Sequence, residues 1–185
     1  MSVSVDRAWW DRTLNLAFIG LALGLAWGLK DFYRRAGFEE LLWVLAPTRQ
    51  LVEWLSGARF ELEAGLGYLS RDHRFQIVPA CAGVNFMIVA FASLACGLAH
   101  TCSTSRGRLA LLLFSALAAY AATVVANAVR ISTAITLHAA TASWTRPGAE
   151  HLHTAVGVLI YSLFLGGLFA LGAKVTGARR DFAIC

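Results

Sequence analysis

The stretch LALLLFSALAAYAATVVA, residues 109–126, carries no charged side chain. An α-helix crosses the hydrocarbon core of a bilayer with about 20 mostly apolar residues. This stretch therefore predicts a transmembrane helix, and the chain repeats the pattern elsewhere. The other strongly apolar blocks are residues 14–29, 84–100 and 154–173.

The composition of the whole chain agrees with a lipid environment. Hydrophobic residues make up 58% of the 185 positions and charged residues only 15%, with a mean hydropathy of +0.61. A soluble domain carries roughly 45–50% apolar and about 25% charged residues, so this chain has too little charge to cover a surface that faces water. We predict an all-α polytopic membrane protein. It is expected to form one integral membrane domain over residues 1–185, a helical bundle of about five to six transmembrane helices surrounded by membrane lipid.

Charge and cysteine content exclude several classes of function. The formal net charge of +5 does not indicate nucleic acid as a partner, because no Lys/Arg run, zinc-ligand pattern or aromatic–basic platform accompanies it. The four cysteines form no C-x-x-C pair and show no metal-ligand spacing, so neither a disulfide framework nor a zinc site is predicted. We expect no cofactor.

A weaker apolar block covers residues 40–57 and is interrupted by Pro47, Arg49 and Glu53. Arg49 and Glu53 are four residues apart, so on a helix they share a face and can pair. A charged pair at that depth must face protein or a water-filled cavity. The alternative is a helix that lies in the membrane interface. Residues 58–80 then alternate apolar and polar side chains, which predicts a small extramembrane strand-like segment.

Positive charges near the span ends predict the orientation of the chain. Segments 30–40 and 100–108 and the C-terminal tail each hold Lys or Arg residues, which assigns all three to the cytoplasm. With five spans, segments 58–80 and 127–153 then lie on the other side of the membrane. The same count puts the N-terminus outside and the C-terminus inside.

Residues 130–144 also look helical and fairly apolar, but they are short for a full crossing. We expect them to lie in the interface or to form a re-entrant segment. The alternative is a sixth span, which would put Arg130 and His153 on opposite sides of the membrane.

The first candidate for chemistry is Cys81, in the segment VPACAGVNF at residues 78–86. Pro79 ends the extended segment and an apolar helix begins within a few residues, so Cys81 is predicted at or just before a helix N-terminus. The unpaired N–H groups there carry a partial positive charge that stabilises a thiolate. With Gly83 allowing close approach, the same groups can hold a developing oxyanion. The alternative is a buried structural cysteine.

The second candidate is the segment NAVRI, residues 127–131, at the far end of the apolar block 109–126. An arginine that faces lipid there costs on the order of 2.5 kcal/mol or more. Asn127 and Arg130 are three apart and share a helix face, so both can point at one site. The alternative is an interfacial arginine that snorkels to the headgroups.

The third candidate is His153, in EHLHTAVGVLIY at residues 150–161. Gly157 and Tyr161 follow one and two turns later on the same helix face, and Gly157 lets another helix approach closely. A metal site built on Glu150, His151 and His153 lacks a further ligand at useful spacing, so no metal is predicted. The alternative is a plain interfacial histidine.

In the predicted orientation, Cys81, Arg130 and His153 all meet the membrane on the same, non-cytoplasmic face. A thiol at a helix N-terminus, a base and a fixed cation are the groups that acyl transfer through a thioester requires. The ordered elements C-A-G-V, N-A-V-R-I and H-T-A-V-G, each at a span end, resemble the exosortase/archaeosortase family over roughly residues 40–173. The form Cys-Ala-Gly-Val-Asn-Phe in so short a chain looks most like the exosortase K branch.

The resemblance implies a membrane cysteine peptidase/transpeptidase of the plasma (inner) membrane. Its substrates would be secreted proteins that end in a short motif, a hydrophobic span and a basic cluster, cleaved and transferred to water or an envelope acceptor. By motif match, Cys81 would be the nucleophile, His153 the general acid/base and Arg130 the group that stabilises the oxyanion. Gly83 and Asn127 would support them.

Two further interpretations stay open from the residues alone. The chain can instead be a non-catalytic membrane transport or assembly subunit, which would use the Arg49/Glu53 pair and need no reactive thiol. A GxxxGxxxG stripe in the first span is typical of a helix-packing surface. We expect it to be internal, with a homodimer contact as the alternative; its residues are Gly20, Gly24 and Gly28.

Overall fold

Five α-helices and one small sheet make up the structure, a computed structural model. It describes residues 2–63, 67–72, 75–141 and 149–182, and within these the side chains of 12–138 and 154–175. The helices are α1 (Ser2–Arg35), α2 (Leu42–Ser56), α3 (Val84–Gly97), α4 (Ser105–Thr141) and α5 (Ala149–Phe182). The strands are β1 (Glu61–Glu63), β2 (Gly67–Ser70) and β3 (Phe75–Ile77), and short 3-10 turns occupy Glu39–Leu41, Pro79–Ala82 and Ala99–Thr101.

Four helical stretches in the described part of the chain are long and apolar enough to cross a membrane. They confirm the predicted all-α polytopic membrane fold. Each contains one of the four strongly apolar blocks, because twenty or so uncharged residues with few helix breakers form a helix that lipid can solvate. The four candidate spans are Arg12–Arg35, Pro79–Thr101, Ser105–His138 and Thr154–Val175.

The predicted span over residues 40–57 is wrong. Helix α2 and the 3-10 turn that runs into it carry four charged side chains between residues 39 and 53, which hydrocarbon does not tolerate, and this stretch is not among the four candidate spans. The predicted pair within it does form: Arg49 Nη1 lies 3.1 Å from Glu53 Oε1. Glu53 also accepts a hydrogen bond from the Phe60 N–H at 2.9 Å, and Arg49 lies over the Tyr68 ring. The charged face of α2 therefore supports the segment that follows it.

That segment is a three-stranded antiparallel sheet in the order β1-β2-β3, which confirms the predicted strand-like region. Tyr68 on β2 pairs with Leu62 on β1 and Ile77 on β3. Tyr68 and Ile77 are buried, and Phe38 meets the Tyr68 ring edge-on at 5.3 Å. The sheet is thus anchored to the helices through one apolar face and leads directly into the turn before α3.

Helix α4 runs without a break through the region where a separate segment was predicted. It has 37 residues, or about 55 Å, far more than a crossing needs. Residues 130–141 are therefore the continuation of α4. They form neither the separate interfacial or re-entrant segment nor the sixth span that the sequence suggested, and residues 142–144 lie outside the described residues. The reason is local, because 127–141 contains neither Gly nor Pro to end the helix.

The C-terminal end of α1 meets the N-terminal end of α3, which overturns the side predicted for segment 30–40. Lys30 Nζ donates to Asn85 Oδ1 at 2.6 Å, and the Tyr33 hydroxyl donates to the Pro79 carbonyl at 3.4 Å. We call this end of the bundle, with these four residues, the site end. Segment 30–40 thus lies on the same side as segment 58–80 and not opposite it. Because α2 was counted as a crossing, the segments that precede it in the chain were assigned to the wrong side of the membrane relative to segment 58–80.

The other end of the bundle, which we call the distal end, contains Asn15, Gly97, Arg108 and Gly172. Arg108 Nη2 donates to Asn15 Oδ1 at 3.3 Å, which joins the beginnings of α1 and α4. Four crossings bring the beginning of α1 and the end of α5 to this same side, so the prediction of termini on opposite sides is wrong.

Helix α4 is the centre of the bundle. It packs against α2, α3 and α5, and α3 in turn packs against α1 and α5. The glycine stripe of α1 takes no part in this packing, because a Cβ on any of its three residues would meet nothing within 4 Å. The expectation that the stripe is an internal packing surface is therefore wrong; the stripe consists of Gly20, Gly24 and Gly28.

Candidate active site

Cys81 lies in the 3-10 turn Pro79–Ala82, immediately before α3. Its N–H donates to the Val78 carbonyl at 2.7 Å, and the first bond of α3 runs from the Met87 N–H to the Gly83 carbonyl at 3.1 Å. The predicted place of Cys81, just before a helix N-terminus, is confirmed. The cysteine is half-buried and a free thiol. No side chain caps α3, so the partial positive charge of its first N–H groups faces this turn.

Gly83 joins the turn to α3 in a conformation that favours glycine, with φ at +69°. A Cβ there would also lie 3.2 Å from Thr123 Cγ2 and 3.3 Å from Asn127 Cγ. Gly83 is therefore needed both for the backbone turn and for the close approach of α4. That close approach brings Asn127 against the turn that carries Cys81.

Asn127 joins three parts of the site and is completely buried. Its Nδ2 donates to the backbone carbonyl of Cys81 in a short hydrogen bond. Its Oδ1 accepts from the Tyr161 hydroxyl at 3.0 Å and from Arg130 Nε at 3.3 Å. One amide thus connects the cysteine turn, the arginine on α4 and a tyrosine on α5.

Arg130 turns into the protein and not out to the headgroups. Its stem crosses α5 at Gly157, where a Cβ would lie 3.4 Å from Arg130 Cδ. Its guanidinium lies over the Tyr161 ring, 5.4 Å from the centroid. Cys81 and Arg130, 49 residues apart in the chain (130 − 81), are therefore brought to one place through Asn127. The structure does not favour the snorkelling alternative.

His153 lies in the first turns of α5, one turn before Gly157 and on the same helix face. Its side chain lies outside the described residues, as do those of Glu150 and His151. The helix backbone places position 153 next to the point where Arg130 crosses α5. Within the described residues, no group of three or more His, Cys, Asp or Glu side chains is arranged to hold a metal.

Two tyrosines belong to this constellation beyond the predicted residues. Tyr161 on α5 contacts both Arg130 and Asn127, and Tyr33 on α1 donates to the Pro79 carbonyl, in the same 3-10 turn as Cys81. Tyr161 was visible in the sequence as the third residue of the face that holds His153 and Gly157. Tyr33 was missed because its segment had been assigned to the other side of the membrane, and no local pattern marks it.

Comparison with protein families gives one result for this chain. The family model described as transmembrane exosortase (Exosortase_EpsH) matches residues 52–170. That range is more than half of the chain, so the chain belongs to the transmembrane exosortase family. The search of curated proteins found no match, and neither did the search of solved structures. The matched range includes Cys81, Asn127, Arg130 and His153, whereas Tyr33 lies outside it.

Proposed function

We propose that this member of the transmembrane exosortase family is a membrane-embedded cysteine peptidase/transpeptidase. It cleaves the C-terminal sorting signals of secreted proteins and transfers the new C-terminus to water or to an envelope acceptor. The observation that carries the proposal is the junction at Asn127, which brings Cys81 and Arg130 together from separate helices. A non-catalytic transport or assembly subunit has no need for such a junction, and family membership does not favour it.

The reaction uses Cys81, His153 and Arg130 in the following steps. His153 takes the thiol proton, and Cys81 Sγ attacks the scissile carbonyl carbon to form the C–S bond. The carbonyl oxygen becomes an oxyanion that Arg130 stabilises. The C–N bond then breaks as His153 returns the proton to the leaving amine, which leaves a thioester on Cys81. An acceptor amine, hydroxyl or water attacks the thioester and restores the thiol.

The arrangement of Arg130 supports this role. Its Nε is held by Asn127, and among the described residues no hydrogen bond engages its two terminal nitrogens. A guanidinium held only by Nε keeps its two terminal nitrogens, whose N–H groups lie in one plane, free to donate to a developing negative charge. The helix N-terminus beside Cys81 adds a second source of positive potential at the same place. Gly83 and Asn127 act as supporting residues, by close approach and by orientation.

We place the enzyme in the plasma (inner) membrane as a multi-pass protein with its site on the non-cytoplasmic face. A sorting enzyme meets exported substrates on that side, and the sheet beside the site end, together with α2, supplies regular structure outside the four candidate spans. The sequence Cys-Ala-Gly-Val-Asn-Phe at 81–86 supports the exosortase K branch within the family.

The first test compares Cys81→Ala with Cys96→Ala, a matched substitution of another half-buried free thiol on the same span. The substrate is a tagged secreted reporter that ends in a motif–span–basic signal from the same organism. Cys81→Ala should abolish processing while the protein still accumulates in the membrane, because the nucleophile is lost. Cys96→Ala should process normally. Processing of the reporter by Cys81→Ala at the wild-type rate would contradict the proposed function.

Labelling tests the face on which the site lies. A variant that keeps Cys81 as its sole cysteine should react with a membrane-impermeant maleimide added to the non-cytoplasmic side of sealed vesicles. A variant that keeps only Cys102, near the distal end, should react from the other side. The opposite pattern would contradict the proposed orientation while leaving the chemistry untouched.

A further inference from the structure

We propose that Tyr161 is a positioning residue of this site, which holds both Arg130 and Asn127 in the orientation that the reaction at Cys81 requires. The inference rests on the proposed function and extends it to a residue on α5. Tyr161 is half-buried, and it contacts one residue from α3 and two from α4 within a single small region.

The ring of Tyr161 fixes the guanidinium of Arg130. The guanidinium carbon lies 5.4 Å from the ring centroid, within the distance at which a cation is attracted to an aromatic face. The ring is itself stacked on Phe86 of α3, with centroids 4.8 Å apart and planes 17° apart. Phe86 is buried and lies five residues after Cys81 (86 − 81). The helix that begins beside the nucleophile therefore supports the surface on which the arginine rests.

The hydroxyl of Tyr161 determines which way the Asn127 amide faces. An amide oxygen accepts hydrogen bonds and an amide nitrogen donates them. Oδ1 of Asn127 accepts from both the Tyr161 hydroxyl and Arg130 Nε, so Nδ2 is left to donate to the Cys81 carbonyl. Without the hydroxyl, one of the two donors that keep Oδ1 facing α5 is lost. The amide then defines the position of the cysteine turn less strictly.

Both contacts act on groups that must be in place before the substrate arrives. An arginine has a long flexible side chain, and a transition-state charge is best stabilised by donors that need no reorganisation. Misplacement of a catalytic group by about 1 Å can cost on the order of 100-fold in rate. Tyr161 is therefore expected to affect the turnover number and not the binding of substrate.

The test separates the ring from the hydroxyl and uses a matched tyrosine as control. Tyr161→Phe keeps the ring and removes the hydrogen bond; Tyr161→Leu removes both. Tyr120, two turns before Asn127 on α4, is the control, because its hydroxyl donates to the Trp43 carbonyl at 2.9 Å and its ring stacks on Trp43 at 5.8 Å. Each variant is purified in detergent, its thermal stability is recorded, and kcat and KM are measured with the tagged reporter.

We expect Tyr161→Phe to lower kcat by about two- to tenfold, the effect of one lost hydrogen bond, and Tyr161→Leu by about 100-fold. KM should stay within about twofold of the wild-type value. Tyr120→Phe and Tyr120→Leu should leave kcat unchanged even where they lower thermal stability. Wild-type kcat in Tyr161→Leu, or an equal fall in Tyr120→Leu, would overturn the proposal. If Tyr161→Leu fails to accumulate, the comparison of kcat between Tyr161→Phe and Tyr120→Phe tests the proposal instead. Equal kcat values in those two variants would overturn it.

A double-substitution cycle tests whether Tyr161 acts through Arg130. Lysine keeps the charge of Arg130 but loses the planar group that rests on the ring. The effect of Tyr161→Leu on kcat, which includes loss of the ring, should therefore be smaller in an Arg130→Lys background than in the wild type. Equal effects in both backgrounds would contradict the proposed route. Cys81→Ala distinguishes the two proposals. Processing of the reporter by Cys81→Ala would refute the proposed enzyme. If Cys81→Ala is inactive but the Tyr161 variants have wild-type kcat, only the positioning role of Tyr161 is refuted.

Discussion

Helix α5 packs against its neighbours in two different ways at its two ends. At the site end, Gly157 leaves room for the stem of Arg130, and a Cβ there would lie 3.4 Å from Arg130 Cδ. At the distal end, Gly172 leaves room for Leu94 and Leu98, and a Cβ there would lie 2.8 Å from Leu94 Cδ2 and 3.1 Å from Leu98 Cδ1. In both places a side chain of another helix packs against a glycine of α5. At the site end that side chain is the cationic Arg130, and at the distal end the side chains are the aliphatic Leu94 and Leu98.

The difference separates stability from chemistry within one helix. Close packing of aliphatic groups is non-directional and contributes wherever shapes fit. The contacts at the site end run through the amide of Asn127, and hydrogen bonds weaken steeply when their direction changes. We therefore expect changes at the distal end to alter mainly thermal stability, and changes at the site end to alter mainly the rate of processing.

The largest effect is expected from Asn127→Ala. It removes three hydrogen bonds at once and leaves the Cys81 carbonyl without its donor. Reporter processing should fall by about 100-fold or more, and unfolding in detergent should become easier by about 1–3 kcal/mol. Asn127→Asp should also be slow, because an oxygen then replaces the nitrogen that donates to Cys81.

Asn15→Ala is the matched control for Asn127→Ala, since Asn15 accepts a hydrogen bond from Arg108 at the distal end. Thermal stability is expected to fall and processing to continue at nearly the wild-type rate. If Asn15→Ala slowed processing as much as Asn127→Ala, the two ends would not differ in the way proposed.

An intermediate effect, on stability alone, is expected from Gly172→Ala. Leu94 and Leu98 are 1% and 3% exposed, so they have little freedom to move away from an added methyl group. Overpacking of this kind costs about 1–3 kcal/mol, which thermal unfolding in detergent measures. Gly167→Ala is the control, because a Cβ there meets nothing within 4 Å on the same helix. Equal stability of the two variants would show that the distal packing is not tight.

The smallest effect is expected from Gly157→Ala. The added Cβ would only reach ordinary van der Waals contact with the Arg130 stem, and alanine favours the helix by up to about 1 kcal/mol over glycine. Processing should stay within about twofold, and thermal stability should be equal or slightly higher. Gly157→Leu places further atoms in the path of the arginine, so it should slow processing clearly. Equal rates for both variants would mean that Arg130 does not depend on this crossing.

Much of the fold could be predicted because its signals are local. Apolar blocks of sufficient length indicated the four candidate spans, and alternation indicated the sheet that forms between Glu61 and Ile77. The pairing of Arg49 with Glu53 follows from a spacing of four on a helix. The start of α3 after Pro79 predicted the place of Cys81. Each of these depends on a few neighbouring residues.

The errors of topology concern where one element ends relative to another. Residues 40–57 have the hydropathy of a weak span but too many charged side chains to cross, and that single error reversed the side assigned to segment 30–40. Residues 130–144 were separated from the preceding span on the basis of length, whereas nothing in their sequence ends α4 before Thr141. Tyr33 was missed as a direct consequence of the first error.

By itself, the sequence determined that this is a multi-pass membrane protein and which residues carry the family's motifs, because hydropathy and spacing are properties of a single segment. Only the tertiary structure decided that Cys81 and Arg130 meet through Asn127, and that Tyr161 lies beneath the arginine. Those contacts join helices that are distant in the chain. The approach of α3 to α4 depends on Gly83, where a Cβ would lie 3.2 Å from Thr123 and 3.3 Å from Asn127, and no local pattern encodes that approach.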